Sequence, residues 1–375
     1  MNASKKNILI VAYNDLNNSG VPNVIFQTVK TISKSVNSID IIVFGDNLFF
    51  YEKMLQNGIK NVNIIPQTIC KDKSKIKSFW NFIYKNKKEA YRNAIKTLGS
   101  KNYYAIHSFK EYSGWPYLKA AKKLGIKLRI THSNVNASQK VSLIETVYRF
   151  FAKRKTSRYA TELVGVSKDC CEASFHGKNY IVLHNSYDEN KFNKDVINEL
   201  PKNKLVLTQV GSLNSNKNQY FSLGVIEELI KLHKDSQLII VGKETEFGYQ
   251  TKLNNLVIKK DLTNYVKIIN QGTDISKLFK ETSYVLIPSL YEGASIVAIE
   301  SQACGIKTFV SKGVPKEMNI GGLTFLDLKD GPKKWAEEIF KNFLNTGNSR
   351  AICDMSVFSN KQFEEKILSI YNLSN

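Results

Sequence analysis

The first half of the chain alternates short, almost continuously apolar runs with longer stretches of helical spacing. NILIVAY (7–13), IDIIVFG (39–45), VNIIP (62–66), YAIHSF (104–109), LRITHSN (128–134), ELVGVS (162–167) and YIVLHNS (180–186) are rich in β-branched residues and bounded by polar turns. Between the first two, PNVIFQTVKTISKS (22–35) has helical periodicity. Strands that are apolar throughout and alternate with helices predict a parallel sheet covered on both faces. A polar stretch with a proline, YDENKFNKDVINELPKNK (187–204), breaks the pattern and predicts a linker. The alternation then resumes. Strands are predicted at 204–212, 236–243, 266–272, 284–289 and 306–311, with helices over 218–233, 246–260, 274–281 and 295–304. The last segment, NKQFEEKILSIYNLSN (360–375), carries Phe363, Ile367, Ile370 and Tyr371 at helical spacing. The pattern therefore predicts two doubly wound α/β domains, 1–198 and 199–355, and a terminal helix (356–375) that packs back on the first. Sheets of this kind take ligands at the carboxyl ends of their strands, so two such domains facing one another would enclose a central cleft.

The 375 residues are 42% hydrophobic, which suits folded cores rather than disorder. No apolar run approaches the roughly 18 residues of a membrane span. The opening MNASKKNILIVAYN is too short in its apolar part for a signal peptide and reads as a first strand, so a cytoplasmic location is expected. Cys70, Cys170, Cys171, Cys304 and Cys353 lack metal-site spacing, and the five histidines form no HxxxH or HExxH pattern. The net charge is +21, and most of it is local: residues 71–160 hold 22 Lys and Arg against four Asp and Glu. A phosphate-rich partner and a plain solvated basic face both fit that excess. Within it, KDKSKIKSFWNFIYKNKKEAYRNAIKTL (71–98) mixes lysines with aromatics, as a helix lying on an anionic membrane would. No recognisable nucleic-acid module accompanies the charge, so no nucleic-acid partner is expected.

Candidate chemistry lies in SLYEGASIVAIESQACG (289–305), where Glu292 ends a strand and Glu300 falls inside an apolar helix. The amides of Gly293, Ala294 and Ser295 would point out of the helix start, a place suited to phosphate. A carboxylate at Glu300 is costly among apolar neighbours unless hydrogen-bonded, and vicinal hydroxyls such as those of a ribose would serve. A surface glutamate with a capping glutamate would give the same letters.

The wider context resembles the retaining family 4 glycosyltransferases of bacterial capsular, exopolysaccharide and O-antigen assembly. SLYEGASIVAIESQACGIKTFVSKGVPKE (289–317) matches their run of strand, E-G, E-x7-E and small-residue helix. LTQVGSLNSNKNQYFSLGVIEEL (207–229) resembles their donor-phosphate loop, and NQGTDISKLFKETSYVLIPS (270–289) the segment around the nucleobase. LRITHSN (128–134) and NNSGVPNVIFQTV (17–29) resemble their acceptor-side strand and first loop. The likeness implies the GT-B fold of two Rossmann-like domains. It also implies these roles: Glu292 on the transferred sugar, Lys217 on the diphosphate and Glu300 on the ribose. Gly293, Ala294 and Ser295 would supply amides, Gly20 would leave room for the pyrophosphate, and His132 would lie near sugar and acceptor. Two positions depart from the pattern. Ser212 stands where an arginine is common, and Asn218 where a glycine is common.

The implied reaction is metal-independent, retaining transfer from a nucleotide sugar, with UDP the expected carrier, to an oligosaccharide or lipid-linked acceptor. It needs no cofactor, and it would take place in the cytoplasm at the inner face of the cell membrane. Ser212 keeps a second reading open, a catalytically weakened GT-B protein that serves as a binding subunit. An epimerase would want more acid and base groups, and a dinucleotide oxidoreductase would want G-x-G-x-x-G after NILIVAY, which is missing.

Overall fold

A computed structural model describes residues 6–12, 20–45, 48–67, 79–134, 143–175, 177–194, 203–269 and 272–373. The chain divides into two compact units. One comprises residues 1–185 with 361–375, and the other residues 186–360.

The first unit is a seven-stranded parallel sheet in the order β3-β2-β1-β4-β5-β6-β7. Its strands are β1 (Asn7–Val11), β2 (Ser38–Val43), β3 (Val62–Pro66), β4 (Ala105–Ser108), β5 (Leu128–Ser133), β6 (Glu162–Gly165) and β7 (Ile181–Val182). Its helices are α1 (Gly20–Ile32), α2 (Leu48–Gln56), α3 (Phe79–Gly99), α4 (Trp115–Lys123), α5 (Leu143–Tyr159) and α6 (Lys168–Phe175). Two-residue periodicity sends alternate side chains of β1 to opposite faces. Ile8 and Ile10 join a core with Val24, Ile25 and Val29 of α1. Leu9 and Val11 join another with Ala94 and Leu98 of α3 and Leu118 and Ala121 of α4. Both faces are covered, as a parallel sheet requires.

The second unit repeats the plan with six parallel strands in the order β10-β9-β8-β11-β12-β13. They are β8 (Leu205–Val210), β9 (Ser236–Val241), β10 (Val266–Ile269), β11 (Tyr284–Ile287), β12 (Thr308–Ser311) and β13 (Leu323–Leu326). The helices are α7 (Gln219–Leu232), α8 (Tyr249–Lys259), α9 (Ile275–Phe279), α10 (Ile296–Ala303) and α11 (Gly331–Thr346). Trp335, Ile339 and Phe343 of α11 pack with Leu223 and Ile226 of α7 on one face, and α10 packs on the other. The chain ends in α12 (Asn360–Ile370), whose Phe363, Ile367 and Ile370, with Tyr371, belong to the first unit's core.

The sequence pattern put the boundary after residue 198, but the second unit begins at Ser186. The reason is apolar: Phe192 is buried beside Phe279, with Tyr187 packed on the same cluster, so the first part of the polar stretch is tied to the second core. Strand β13 and helix α11 were also missing from the pattern reading, although α11 has good spacing and a proline in its first turn. Cys170, Cys171, Cys304 and Cys353 are buried. Among the described residues no helix is long and apolar enough to cross a membrane.

Candidate functional site

In the second unit the strand order reverses between β8 and β11, neighbours in the sheet but far apart in sequence. Loops leaving the carboxyl ends of two such strands diverge, which makes this the usual ligand position of a doubly wound sheet. Lys217 comes from the loop after β8 and Glu292 from the loop after β11. Their side chains meet, with Lys217 Nζ 2.6 Å from Glu292 Oε1. Ser289 donates its hydroxyl to the same carboxylate oxygen at 2.7 Å, and Glu292 is only 7% exposed. The lysine is more open, with 26% of its side chain accessible. This is a charged pair with one end toward solvent, able to exchange partners with an incoming anion.

The loops that carry the pair are braced backbone to backbone. The Leu290 amide donates to the Asn216 carbonyl at 2.8 Å, and the Asn216 side chain both donates to the Tyr291 carbonyl (3.1 Å) and accepts from the Tyr291 amide (3.2 Å). Gln209 Nε2 donates to the Lys217 carbonyl at 2.7 Å, and Gln219 Nε2 to that of Ser212 at 2.9 Å. The Glu292 amide donates to the Gly313 carbonyl at 2.9 Å. A Cβ at Gly313 would stand 2.4 Å from the Leu290 carbonyl oxygen, so only glycine permits this approach. Gln209, Asn216, Ser289 and Gly313 were invisible in the sequence because their work depends on which loops become neighbours. Asn218 sits in the left-handed region (φ 57°, ψ 44°) as the residue before α7. Asparagine is among the few residues with a side chain that visit that region readily, so replacing a glycine there costs little backbone strain. The Asn218 side chain also donates to the Pro288 carbonyl at 3.2 Å. Ser212 contributes its carbonyl to this framework, and its side chain adds no charge.

Helix α10 starts directly after this loop. Ser295 caps it, its hydroxyl accepting from the Ala298 amide at 3.3 Å, so Gly293, Ala294 and Ser295 form the turn between Glu292 and the helix. Glu300 lies further along α10 and is not in the ion pair. Burial pushes its carboxyl up to about 8; Asp188 adds repulsion, and Lys191 partly offsets both. A carboxyl that holds its proton can donate one hydrogen bond and accept others, the pattern that a pair of hydroxyls can satisfy.

In the first unit, Gly20 opens α1 with free space around its Cα, while residues 13–19 of the preceding loop lie outside the described residues. His132, on β5, is fully buried, and its ring stacks on Phe109 at 4.8 Å. Its Nδ1 is 3.3 Å from His107 Nε2, and His107 Nδ1 is 2.8 Å from the Tyr371 hydroxyl. His132 Nε2 has no partner among the described residues. Burial drives this imidazole down to about 3, so it is neutral and offers one hydrogen-bonding atom.

A further cluster at this sheet edge was not read from the sequence. Lys110 and Glu111 follow β4, and Glu111 takes a left-handed backbone (φ 50°), an uncommon strain for glutamate. Among the described residues its buried carboxyl accepts one long bond, 3.4 Å, from the Asn134 backbone amide. Burial raises it to about 7 against the pull of that bond and of Arg149 and Lys153. Lys110 lies over the Phe44 ring at 3.6 Å and is lowered to about 7, by burial first and by Lys87 second. The side-chain amide of Asn134 has neither Oδ1 nor Nδ2 paired among the described residues. Of the basic segment at 71–98, residues 71–78 lie outside the described residues, and α3 packs Ala94 and Leu98 into the core.

These features can be set beside known proteins. Residues 190–350 match the family described as "Glycosyl transferases group 1". EpsF of Bacillus subtilis, named as a glycosyltransferase, is 22% identical over this whole chain and 98% of its own length. Residues 190–350 are thus similar to the group 1 glycosyl transferases. The UDP-Gal:alpha-D-GlcNAc-diphosphoundecaprenol alpha-1,3-galactosyltransferase of Escherichia coli is 27% identical across 65% of this chain and 64% of its own. Among solved structures, Anabaena HepE in complex with UDP superposes with a TM-score of 0.70 at 15% identity, covering 98% of this chain and 97% of that one. TarM gives 0.69 at 12% identity, covering 99% and 100%. The chain thus has the GT-B fold, built of two Rossmann-like units.

Proposed function

We propose that the chain is a retaining glycosyltransferase that moves a sugar from a UDP-sugar to a lipid-linked saccharide at the cytoplasmic membrane surface. The observation that carries this reading is the Lys217–Glu292 contact at the crossover of the second sheet. When a nucleotide sugar enters, its diphosphate competes for the Lys217 ammonium, and Glu292 is released to hydrogen-bond the sugar hydroxyls. The bond from the anomeric carbon to the phosphate oxygen breaks as the acceptor oxygen approaches on the same face. The acceptor's proton leaves with the diphosphate. Negative charge builds on that leaving group, where a fixed cation and the amides at the start of α10 stabilise it. Glu300 would take the ribose hydroxyls, and His132 Nε2 would offer a hydrogen bond on the acceptor side.

Support for the donor comes from the E. coli relative, whose name specifies UDP-Gal, and from HepE, solved with UDP and with UDP-glucose. Support for the acceptor comes from the same relative, named for a diphosphoundecaprenol substrate. Protein cations replace a metal in this reading, so chelator leaves the rate unchanged. The test is nucleotide release and thermal stabilisation across a panel of nucleotide sugars. UDP release with at least one donor supports the reading. Donor binding without any release would instead favour a weakened, binding-only protein, which the uncharged Ser212 makes the second reading.

A further inference from the structure

Helix α5 carries four large apolar side chains that touch solvent: Leu143 is 80% exposed, Val147 41%, Phe150 47% and Phe151 55%. Their spacing places them on one helical face. The opposite face is the packed one, with Ala152 and Thr156 buried, the Thr156 hydroxyl bonded to the Tyr112 carbonyl and Lys153 bonded to the Ala173 carbonyl. One helical turn beyond the apolar residues, the exposed face becomes basic, with Arg154, Lys155 and Arg158. Arg154 sits 4.4 Å from the Phe150 ring centroid, and Phe150 and Phe151 meet edge to face at 5.5 Å. The single acid of the helix, Glu145, is already taken by Arg149 at 2.8 Å.

A core helix hides its large apolar residues, and a solvated helix does not cluster two phenylalanines with a leucine and a valine. A second copy of this chain is a poor occupant, since it would bring the same three cations against each other. An anionic lipid surface fits both halves of the face. The acyl boundary takes the four apolar side chains, and lipid phosphates meet the cations. We propose that α5, through Leu143, Val147, Phe150 and Phe151 with Arg154, Lys155 and Arg158, is the surface by which this protein docks on an anionic bilayer, a placement that rests on the membrane-bound acceptor reading above. Docking there would also serve that reading. Arg149 and Lys153, which act on Glu111 and so on the polar cluster at the end of β4, belong to the same helix.

The test is co-sedimentation of the full chain with vesicles of phosphatidylglycerol and phosphatidylcholine in equal parts, beside vesicles of phosphatidylcholine alone. Wild type is expected to bind the mixed vesicles and to release with added salt. Phe150→Ser with Phe151→Ser, and separately Arg154→Glu with Lys155→Glu, should each weaken binding by about tenfold or more. Donor hydrolysis without vesicles should stay at the wild-type rate in both, which separates this question from the glycosyl-transfer reading. Wild-type binding by either variant overturns the assignment to α5 and leaves peripheral association to another surface. No binding by wild type overturns both. A concentration-dependent dimer that the phenylalanine variant dissolves, with no vesicle binding, shows the face to be a contact between copies and also overturns the proposal.

Discussion

The same strand of the fold ends differently in the two units. In each sheet one strand follows the crossover and lies beside the first: β4 beside β1, and β11 beside β8. Past β11 stands Glu292, paired with Lys217 at 2.6 Å and with Ser289 at 2.7 Å. Past β4 stands Glu111, with one hydrogen bond at 3.4 Å and a carboxyl held up at about 7 by burial. Its neighbour Lys110 is brought down to about 7. One sheet edge holds an ion pair whose partner an anion can exchange. The other gathers polar groups near neutrality, suited to hydroxyls, which need partners able to donate and accept. The proposed transfer from an anionic donor to a hydroxyl acceptor would use both kinds of site.

The comparison breaks most sharply at the charged pair. Lys217→Ala should lower turnover by about a hundredfold, ~3 kcal/mol, as removal of one donor to a developing oxyanion does. Glu292→Ala should cost more than about tenfold on the same scale, and far-UV circular dichroism should show both variants folded. Near-normal release of nucleotide by both would remove the site.

The neutral edge is tested by pH. The folded Glu111 carboxyl keeps its proton to about 7, whereas the unfolded one gives it up near its ordinary 4.5. Folding therefore takes up protons in that window. The stability of wild type relative to Glu111→Gln should be highest below it and fall as pH rises through it, by up to about 3 kcal/mol. Urea unfolding of both proteins below and above the window reads the difference; parallel curves would show that burial does not hold the proton.

Smaller effects sharpen the geometry. Gly313→Ala forces a methyl against the Leu290 carbonyl and should cost about 2 kcal/mol, read as a lower melting temperature. Ser289→Ala frees one lone pair of Glu292 and should cost turnover about fivefold, ~1 kcal/mol, with the fold unchanged.

Much of this was written in the sequence, and the exceptions have physical causes. The strands were legible because parallel strands are apolar on both faces, so Ile8 and Leu9 read alike although they serve different cores. Glu292 and Lys217 were legible by resemblance, through E-x7-E and the loop after β8. Glu111 was not, because its strain and its proton come from burial beside elements distant in sequence. The stripe on α5 was hidden for the opposite reason. Apolar residues at helical spacing normally mean a core, and only the structure shows that Phe150 and Phe151 face out. The boundary moved from 198 to 186 because one phenylalanine, Phe192, outweighed the polar residues around it.

The central claim, that Lys217 gives up Glu292 to hold a donor diphosphate, is tested most directly by titrating UDP into wild type and Lys217→Ala in a calorimeter. The account predicts measurable binding by wild type and at least about tenfold weaker binding by the variant, since a charge-assisted contact to phosphate is lost. Equal affinity in the two proteins would contradict it.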